Sequence, residues 1–549
     1  MYTRENREKA LLACFSLLFF AYCFVSCESG PEKAKVTVVK DDVFTIQLRS
    51  SLRPFDTTNK KTFRSVADDV RFTYQSHGYR PIWIGTHYKP TDAAAKLIDE
   101  LEDTYWDGLD TTRYKLTALK NLKEKLDTTR ENSLSDAIAF DTALTHCYLL
   151  AAKNLLLGTI APKTADSLWY HINDSSWYAP QLLVSARSYY PSLDTFRSRV
   201  PTYSLLREAY KHYTELANDT LFTQALSLIQ SIKHPDSEEL DIIRKAIGYE
   251  MPWVTTIPND SVSEEKQLFM AYQAYSGLQQ SGKPDTATIA RLATPVDSLL
   301  QKIKANMERV RWMQRQFGDL YLVVNVPLME LFLRKDGLNK VHMRVVVGRP
   351  ERQTPSLYAN MADVVINPPW GVPPTILKND VLPGLQKSGK KYMDKKGLKA
   401  YDRKGQVIRA ANINARNYKN YYYQQAPGND NSLGYVKFNL PNRWDIYLHD
   451  TPHRGDFGKR FRALSSGCIR LQRPLDMAVY ILADLEKKNY TLGRLDTVIK
   501  THRTRWELLK TKIPVHITYL TVFEDTTGKH IQFVRDVYHR DDKLISLMN

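Results

Sequence analysis

The chain has 549 residues, a formal net charge of +17, and 43% hydrophobic against 25% charged residues. That length suits two to four domains, and the ordinary hydrophobic share excludes a disordered chain. Basic charge of this size invites a nucleic-acid partner, but no RNA- or DNA-binding motif occurs and the N-terminus argues for export instead.

Arg4, Arg7 and Lys9 precede an apolar run, Ala10–Val25, and a small residue, Ser26, before Cys27. This is the pattern of a secretory signal peptide. Ser16 and Tyr22 interrupt the run, which is short for a spanning helix. Phe24-Val25-Ser26-Cys27 resembles a lipobox, with Phe where Leu is usual. The resemblance implies a lipoprotein acylated on Cys27; a plain signal peptide and an uncleaved signal anchor are the alternatives. Cys14 and Cys23 leave with the leader, so only Cys147 and Cys468 remain in the folded part and no disulfide framework exists. Cys147 sits in the helical apolar run Leu144–Leu155 and reads as core. His146 is adjacent to it, and adjacent residues on a helix do not face each other.

The expected organisation is a leader over 1–26, a tether over 27–50, a helical scaffold over 51–255, a small helical module over 256–300 and a mainly β domain over 301–549. Ala93–Leu101 and Ala137–Leu157 exemplify the scaffold's helical periodicity. A helix follows the module over Val296–Gln316. Strands are expected at Tyr321–Val324, Val341–Val347, Val364–Ile366, Gly434–Leu440, Trp444–His449 and Val515–Val522, with a hairpin-like segment reaching Asp536. Asn367–Pro374 is rigid and proline-rich. Residues 376–432 interrupt the strand pattern with Lys387-Ser388-Gly389-Lys390-Lys391, Lys395-Lys396 and Tyr421-Tyr422-Tyr423.

The chemistry concentrates in Tyr447-Leu448-His449-Asp450 and Ser465-Ser466-Gly467-Cys468-Ile469-Arg470. A thiol becomes a good nucleophile beside an imidazole that takes its proton. Gly467 lets a substrate carbonyl approach and leaves backbone N–H groups for an oxyanion. Strand alternation puts Trp444, Ile446 and Leu448 on one face and Tyr447 with His449 on the other. Pro474 opens a helix carrying Leu475, Ala478, Val479, Leu482 and Leu485, so Cys468 is expected on a turn between a strand region and a helix. His449, Asp450 and His453 are closely spaced, but Pro452 prevents the continuous helix a metal pair would need. No metal and no organic cofactor is implied.

These segments resemble the active-site signature of L,D-transpeptidases with a YkuD-type catalytic domain. The resemblance extends over Val324-Asn325-Val326-Pro327, Val345-Val346-Val347-Gly348, Thr354-Pro355, Asn367–Pro373, Pro427–Phe438 and Ile513-Pro514-Val515, and it is to the large multi-domain (YcbB-like) periplasmic branch. Asp107-Gly108-Leu109 and Pro81-Ile82-Trp83 resemble that branch's helical scaffold. Leu268, Tyr272-Gln273, Gly277-Leu278, Gly282, Asp285, Thr288 and Leu292 resemble a three-helix peptidoglycan-binding module, whether it binds glycan or only supports the fold.

The resemblance implies an α+β multi-domain enzyme of the cell envelope acting on peptidoglycan stem peptides. Cys468 would attack a tetrapeptide stem, release the terminal D-Ala and pass the acyl group to a second stem as a 3→3 cross-link. His449 would act as base and then acid, and the Asp450 backbone carbonyl would orient it. Tyr447 and the N–H groups of Gly467 and Cys468 would receive the oxyanion. Arg470 suits either a substrate carboxylate or a structural ion pair. Ser465 and Ser466 suit either the substrate or the turn. Residues 376–432 would cap the site. The family also implies reaction with carbapenems. An L,D-carboxypeptidase and a non-catalytic wall-binding protein are the rival readings, and oligomeric state is left open.

Overall fold

The computed structural model describes residues 42–54, 65–171, 179–185, 190–254 and 262–549. The expected leader, Cys27 and most of the tether lie outside the described residues. The described chain is a helical N-terminal part followed by a mainly β domain, as the sequence predicts. No described helix is long and apolar enough to cross a membrane.

Helices begin where side chains cap them. Ser65 accepts from the Asp68 N–H while the Asp68 carboxylate returns to the Ser65 N–H, and that capping box opens Val66–Ser76. Ser133 caps Leu134–Leu157, which Gly158 at φ +80° ends. Leu134–Leu157 buries Phe140, Leu144, Tyr148, Ala151 and Leu155 in a core that runs from Phe44 to Phe196. A second core runs from Ala165 through the later helices and the main sheet of the β domain.

Val296–Arg311 is the axle between these parts. Its last six residues are all buried, and each charge among them is paired. Arg309 meets Asp541 at 2.5 Å and Arg311 meets Glu308 at 2.9 Å. Glu308 also accepts from the Ile160 N–H at 2.7 Å, and Arg311 donates to the Asp107 carbonyl. Breaking one member would leave a buried charge uncompensated. The helix stops at Arg311 rather than reaching Gln316. Trp312 closes a tight turn onto the Arg309 carbonyl, and Gly318 at φ +81° redirects the chain into a strand.

In the preceding module, the buried Gln273 amide holds the loop between Glu264–Tyr275 and Thr286–Leu292. Its Nε2 donates to Ser281, Lys283 and Thr288, and its Oε1 accepts from the Gly282 N–H. A side chain at Gly277 would come within 2.6 Å of the Phe533 carbonyl, so glycine is required for the module to dock on the β domain.

The β domain comprises β1 (Trp169–Tyr170), β2 (Leu320–Asn325), β3 (Glu330–Lys335), β4 (Leu338–Gly348), β5 (Ser356–Ile366), β6 (Trp370–Gly371), β7 (Leu398–Tyr401), β8 (Val407–Ile408) and β9 (Tyr422–Gln425). It continues with β10 (Val436–Asn439), β11 (Leu448–His449), β12 (Ala463–Ser465), β13 (Ile469–Leu471), β14 (Arg505–Thr518), β15 (Val522–Glu524) and β16 (Ile531–Phe533). The main sheet runs β1-β5-β10-β11-β13-β4-β3-β2-β14, and a β5–β14 pairing closes it on itself. β3 carries no alternation because Leu331, Phe332 and Leu333 are all buried, so its pattern gives no strand signal.

Two further differences from expectation have local causes. Only Leu448–His449 of the Trp444–His449 run is paired as strand, because Asp445 adopts φ +54° and the Asn442 amide ties the bend. The alternation survives, with Ile446 and Leu448 buried. Cys468 lies between two strands, β12 and β13, and the helix at Pro474–Val479 follows only after β13. Residues 376–432 form a lobe with its own core, centred on Val381, Leu385, Met393, Ala400 and Tyr423, and its strands β9, β7 and β8 form a sheet that β6, from just before the lobe, joins at β9.

Candidate active site

Three short adjacent strands assemble the site. Lys437 on β10 pairs with His449 on β11, which pairs in turn with Arg470 on β13. The Ile469 N–H donates to the Tyr447 carbonyl at 3.1 Å, which extends the register and sets Tyr447 across from Cys468. Paired residues share a face of the sheet, and successive residues alternate. Leu448 and Ile469 point into the core and are fully buried. Lys437, Tyr447, His449, Cys468 and Arg470 therefore share the opposite face. Their sequence spacing works because β11 and β13 are parallel neighbours.

The imidazole is held in one orientation. His449 Nδ1 meets the Asp450 carbonyl at 2.5 Å, so Nδ1–H donates and Nε2 is the acceptor nitrogen. Asp450 is itself fixed. Its carboxylate accepts from the Tyr435 N–H at 2.9 Å and the Thr451 N–H at 2.6 Å and pairs with Arg454. Its own N–H donates to the Val436 carbonyl at 2.9 Å. A side chain at Gly434 would come within 2.4 Å of that carboxylate, so this support requires glycine at φ +58°.

Electrostatics keep both reacting groups neutral at rest. Burial, aided by Arg470 and Lys437, pulls the His449 imidazole down to about 3. Burial pushes the Cys468 thiol above its ordinary value, while hydrogen bonds from Tyr447 and the charge of Lys437 oppose that rise. Burial and the neighbouring thiol push the Tyr447 phenol well above its usual range. A thiol and an imidazole in these states exchange a proton only as a bond forms, which is the behaviour of a base-assisted nucleophile.

The turn carrying Cys468 is tightly bonded. Gly467 adopts φ +120°, which disfavours any other residue. Ser465 is buried in the turn; its Oγ donates to the Cys468 carbonyl at 2.6 Å and accepts from the Gly467 N–H at 3.1 Å. The Gly467 N–H, expected for an oxyanion, is thus engaged, whereas the Cys468 N–H has no partner among the described residues. Thr354 Oγ1 donates to the Gly467 carbonyl at 2.7 Å, and Tyr538 ties Thr354 and Gly348 to the C-terminal segment.

Ser466 is exposed and accepts from Arg352 at 3.0 Å. The same guanidinium grips Asp380 of the 376–432 lobe through both nitrogens, at 2.5 and 3.0 Å. Arg470 meets Asp456 at 3.4 Å, the ion-pair arrangement. Sequence reasoning gave no role to Lys437, Arg352, Thr354 or Tyr538. Alternation could have flagged Lys437 as facing away from Phe438, but its partners are set by strand register. Among the described residues no group of three or more His, Cys, Asp or Glu is arranged to hold a metal ion. A cavity of about 760 Å³ between Trp253, Tyr275, Phe461 and the β15–β16 hairpin is lined by none of the residues that share the Cys468 face.

A closed β domain with a turn-borne cysteine beside an oriented imidazole, joined to a helical N-terminal part, defines a multi-domain protein with a Cys–His site. Residues 319–514 match the YkuD family, the L,D-transpeptidase catalytic domain, and residues 68–209 match the Scaffold domain family. The YkuD match falls on the β domain, where the sequence carries its resemblance to that family. Over 250 residues the chain is 32% identical to a Haemophilus influenzae protein named "Putative L,D-transpeptidase", covering 45% of this chain and 49% of that one. The chain thus spans about half the length of that relative. Two solved structures are also similar: the Ldtfm–avibactam carbamoyl enzyme and a cysteine-to-serine mutant of an Enterococcus faecium L,D-transpeptidase. Each is 11% identical with a TM-score of 0.18 over 40% of this chain, covering 62% and 64% of the respective chains.

Proposed function

We propose that this protein is an L,D-transpeptidase that forms 3→3 peptidoglycan cross-links through an acyl-enzyme on Cys468. The observation that carries the reading is the shared face of Tyr447, His449 and Cys468, with His449 Nδ1 committed to the Asp450 carbonyl. That commitment leaves Nε2 to accept the thiol proton.

In the first half-reaction, Sγ bonds to the carbonyl carbon before the terminal D-Ala of a tetrapeptide stem. The proton on Sγ passes to Nε2. The tetrahedral oxyanion is received by the Cys468 N–H and the Tyr447 hydroxyl. Collapse breaks the C–N bond, and His449 returns its proton to the departing D-Ala amine. In the second half-reaction, the side-chain amine of another stem attacks the thioester carbon and forms the C–N bond, its proton passes to His449 Nε2, and as the C–S bond breaks that proton returns to the sulfur to regenerate the thiol. The 376–432 lobe, held to Ser466 through Arg352, would keep water from the thioester. Arg470 is a reserve anchor for a stem carboxylate when Asp456 releases it. An exported protein anchored through Cys27 would meet this substrate in the periplasm.

Purified protein on tetrapeptide stems tests the reading. Cross-linked dimer with release of D-Ala is expected. Tripeptide alone would make the protein an L,D-carboxypeptidase on the same chemistry. Peptidoglycan retention with no turnover, unchanged in Cys468→Ala, would make it a wall-binding protein.

A further inference from the structure

Lys437 is the unassigned charge of the site. It is half-buried, it lies across from His449 in the β10–β11 register, and its Nζ sits 4.2 Å from the centroid of the Tyr447 ring. Tyr447 in turn lies across from Cys468. The ammonium is thus drawn over the aromatic face on the side of the sheet that carries the thiol, where a ring quadrupole favours a cation. Among the described residues it forms no ion pair, whereas Arg470, two positions past Cys468, is matched by Asp456 at 3.4 Å. Asp363 and Asp445 favour the ammonium only from beyond ion-pair distance, and a partly desolvated lysine without a direct carboxylate partner is costly, which points to an anion arriving during the reaction.

We propose that Lys437 is a positioning residue that stabilises the negative charge building on the Cys468 sulfur as its proton passes to His449. The inference rests on the Cys468 reading given above. The proton moves from Sγ to Nε2, and no bond to Lys437 forms or breaks. The same ammonium disfavours a charged imidazole, as does Arg470, so the proton's stay on His449 is short and its return to the leaving amine is favoured. Lys437 also favours the thiolate, against the burial that opposes it. The other charges reaching the thiol are few. Asp445, whose carbonyl lies 3.6 Å from Sγ, opposes the anion. Asp363 on β5 supports the ammonium. Tyr447 donates to the sulfur, and Asp456 holds Arg470.

The test is the pH profile of iodoacetamide alkylation at the Cys468 peptide, read by mass spectrometry in the full chain. Iodoacetamide is neutral and reports the thiolate rather than any substrate contact. Lys437→Met is expected to move the midpoint upward by about one pH unit, so alkylation below the midpoint slows about tenfold. Lys437→Arg is expected to restore it, and Asp445→Asn to move it down. If Lys437→Met fails to fold, Lys437→Gln carries the same expectation. An unchanged midpoint in the neutral variant would overturn the proposal. So would an unchanged midpoint with a raised KM for stem peptide, which would make Lys437 a substrate anchor. Alkylation needs no turnover, so a failure of cross-linking activity leaves this readout intact.

Discussion

Cys147 and Cys468 are the two thiols of the described chain, and burial raises both. Cys147 lies in the helical part, 5% exposed, its thiol pushed up to about 11 and donating to the Tyr114 carbonyl at 3.4 Å. Cys468 lies in the β domain, where Tyr447 and Lys437 oppose the rise and His449 stands on the same face. The difference teaches that burial alone gives an inert thiol. Chemistry comes from sheet register, which gathers charged and polar groups from three strands onto one face.

The comparison breaks most readily at its reactive end. Cys468→Ala should lower cross-linking at least about 10⁴-fold without changing thermal stability measurably, while Cys147→Ala should leave the rate unchanged. His449→Ala should cost about 10²–10⁴-fold in kcat, with circular dichroism unaltered. Thr354→Val removes the hydroxyl that fixes the Gly467 carbonyl, and should cost about tenfold in kcat by letting the turn drift. Equal losses from either cysteine would erase the distinction.

The helical part should respond in stability instead. Asp141 is buried and accepts from the N–H groups of Ile82, Trp83 and Ile84 as well as from Tyr74. Asp141→Ala should lower unfolding free energy by about 3 kcal/mol, the scale of buried donors left unpaired. Burial raises this carboxyl to about 6 from the ordinary 3.8 of an aspartate. Between those values the native state holds the proton and the unfolded chain does not. Its contribution is therefore full below about pH 4 and is lost as pH rises through about 6. Denaturant titrations of wild type and Asp141→Asn should diverge across that window; parallel curves would contradict the assignment. The smallest effect expected is from Cys147→Ala, about 1 kcal/mol of lost packing.

Much of this was legible in the sequence because it is local. His449 and Cys468 are close in the chain, and the alternation of Ile446, Tyr447, Leu448 and His449 survives a bend at Asp445. The long helices announce themselves by period. What was not legible depends on contacts distant in sequence. Tyr538 supports Thr354 and Gly348 from the far end of the chain, and Lys437 gains its place only from register. β3 is buried on both faces, which removes the alternation that marks a strand. The 376–432 lobe has only short apolar runs, such as Val381-Leu382 and Val407-Ile408, so its small core appears only once folded. Ser465 and Gly467 stood out in the sequence, but the hydrogen bond that engages the Gly467 N–H is set by the turn.

The most direct test of the account is intact-mass spectrometry of the protein after exposure to a carbapenem, for wild type and Cys468→Ala. The account predicts one covalent adduct on the wild type, mapping to Cys468, and none on the variant. Folded wild type without an adduct, or an equal adduct on the variant, would contradict it.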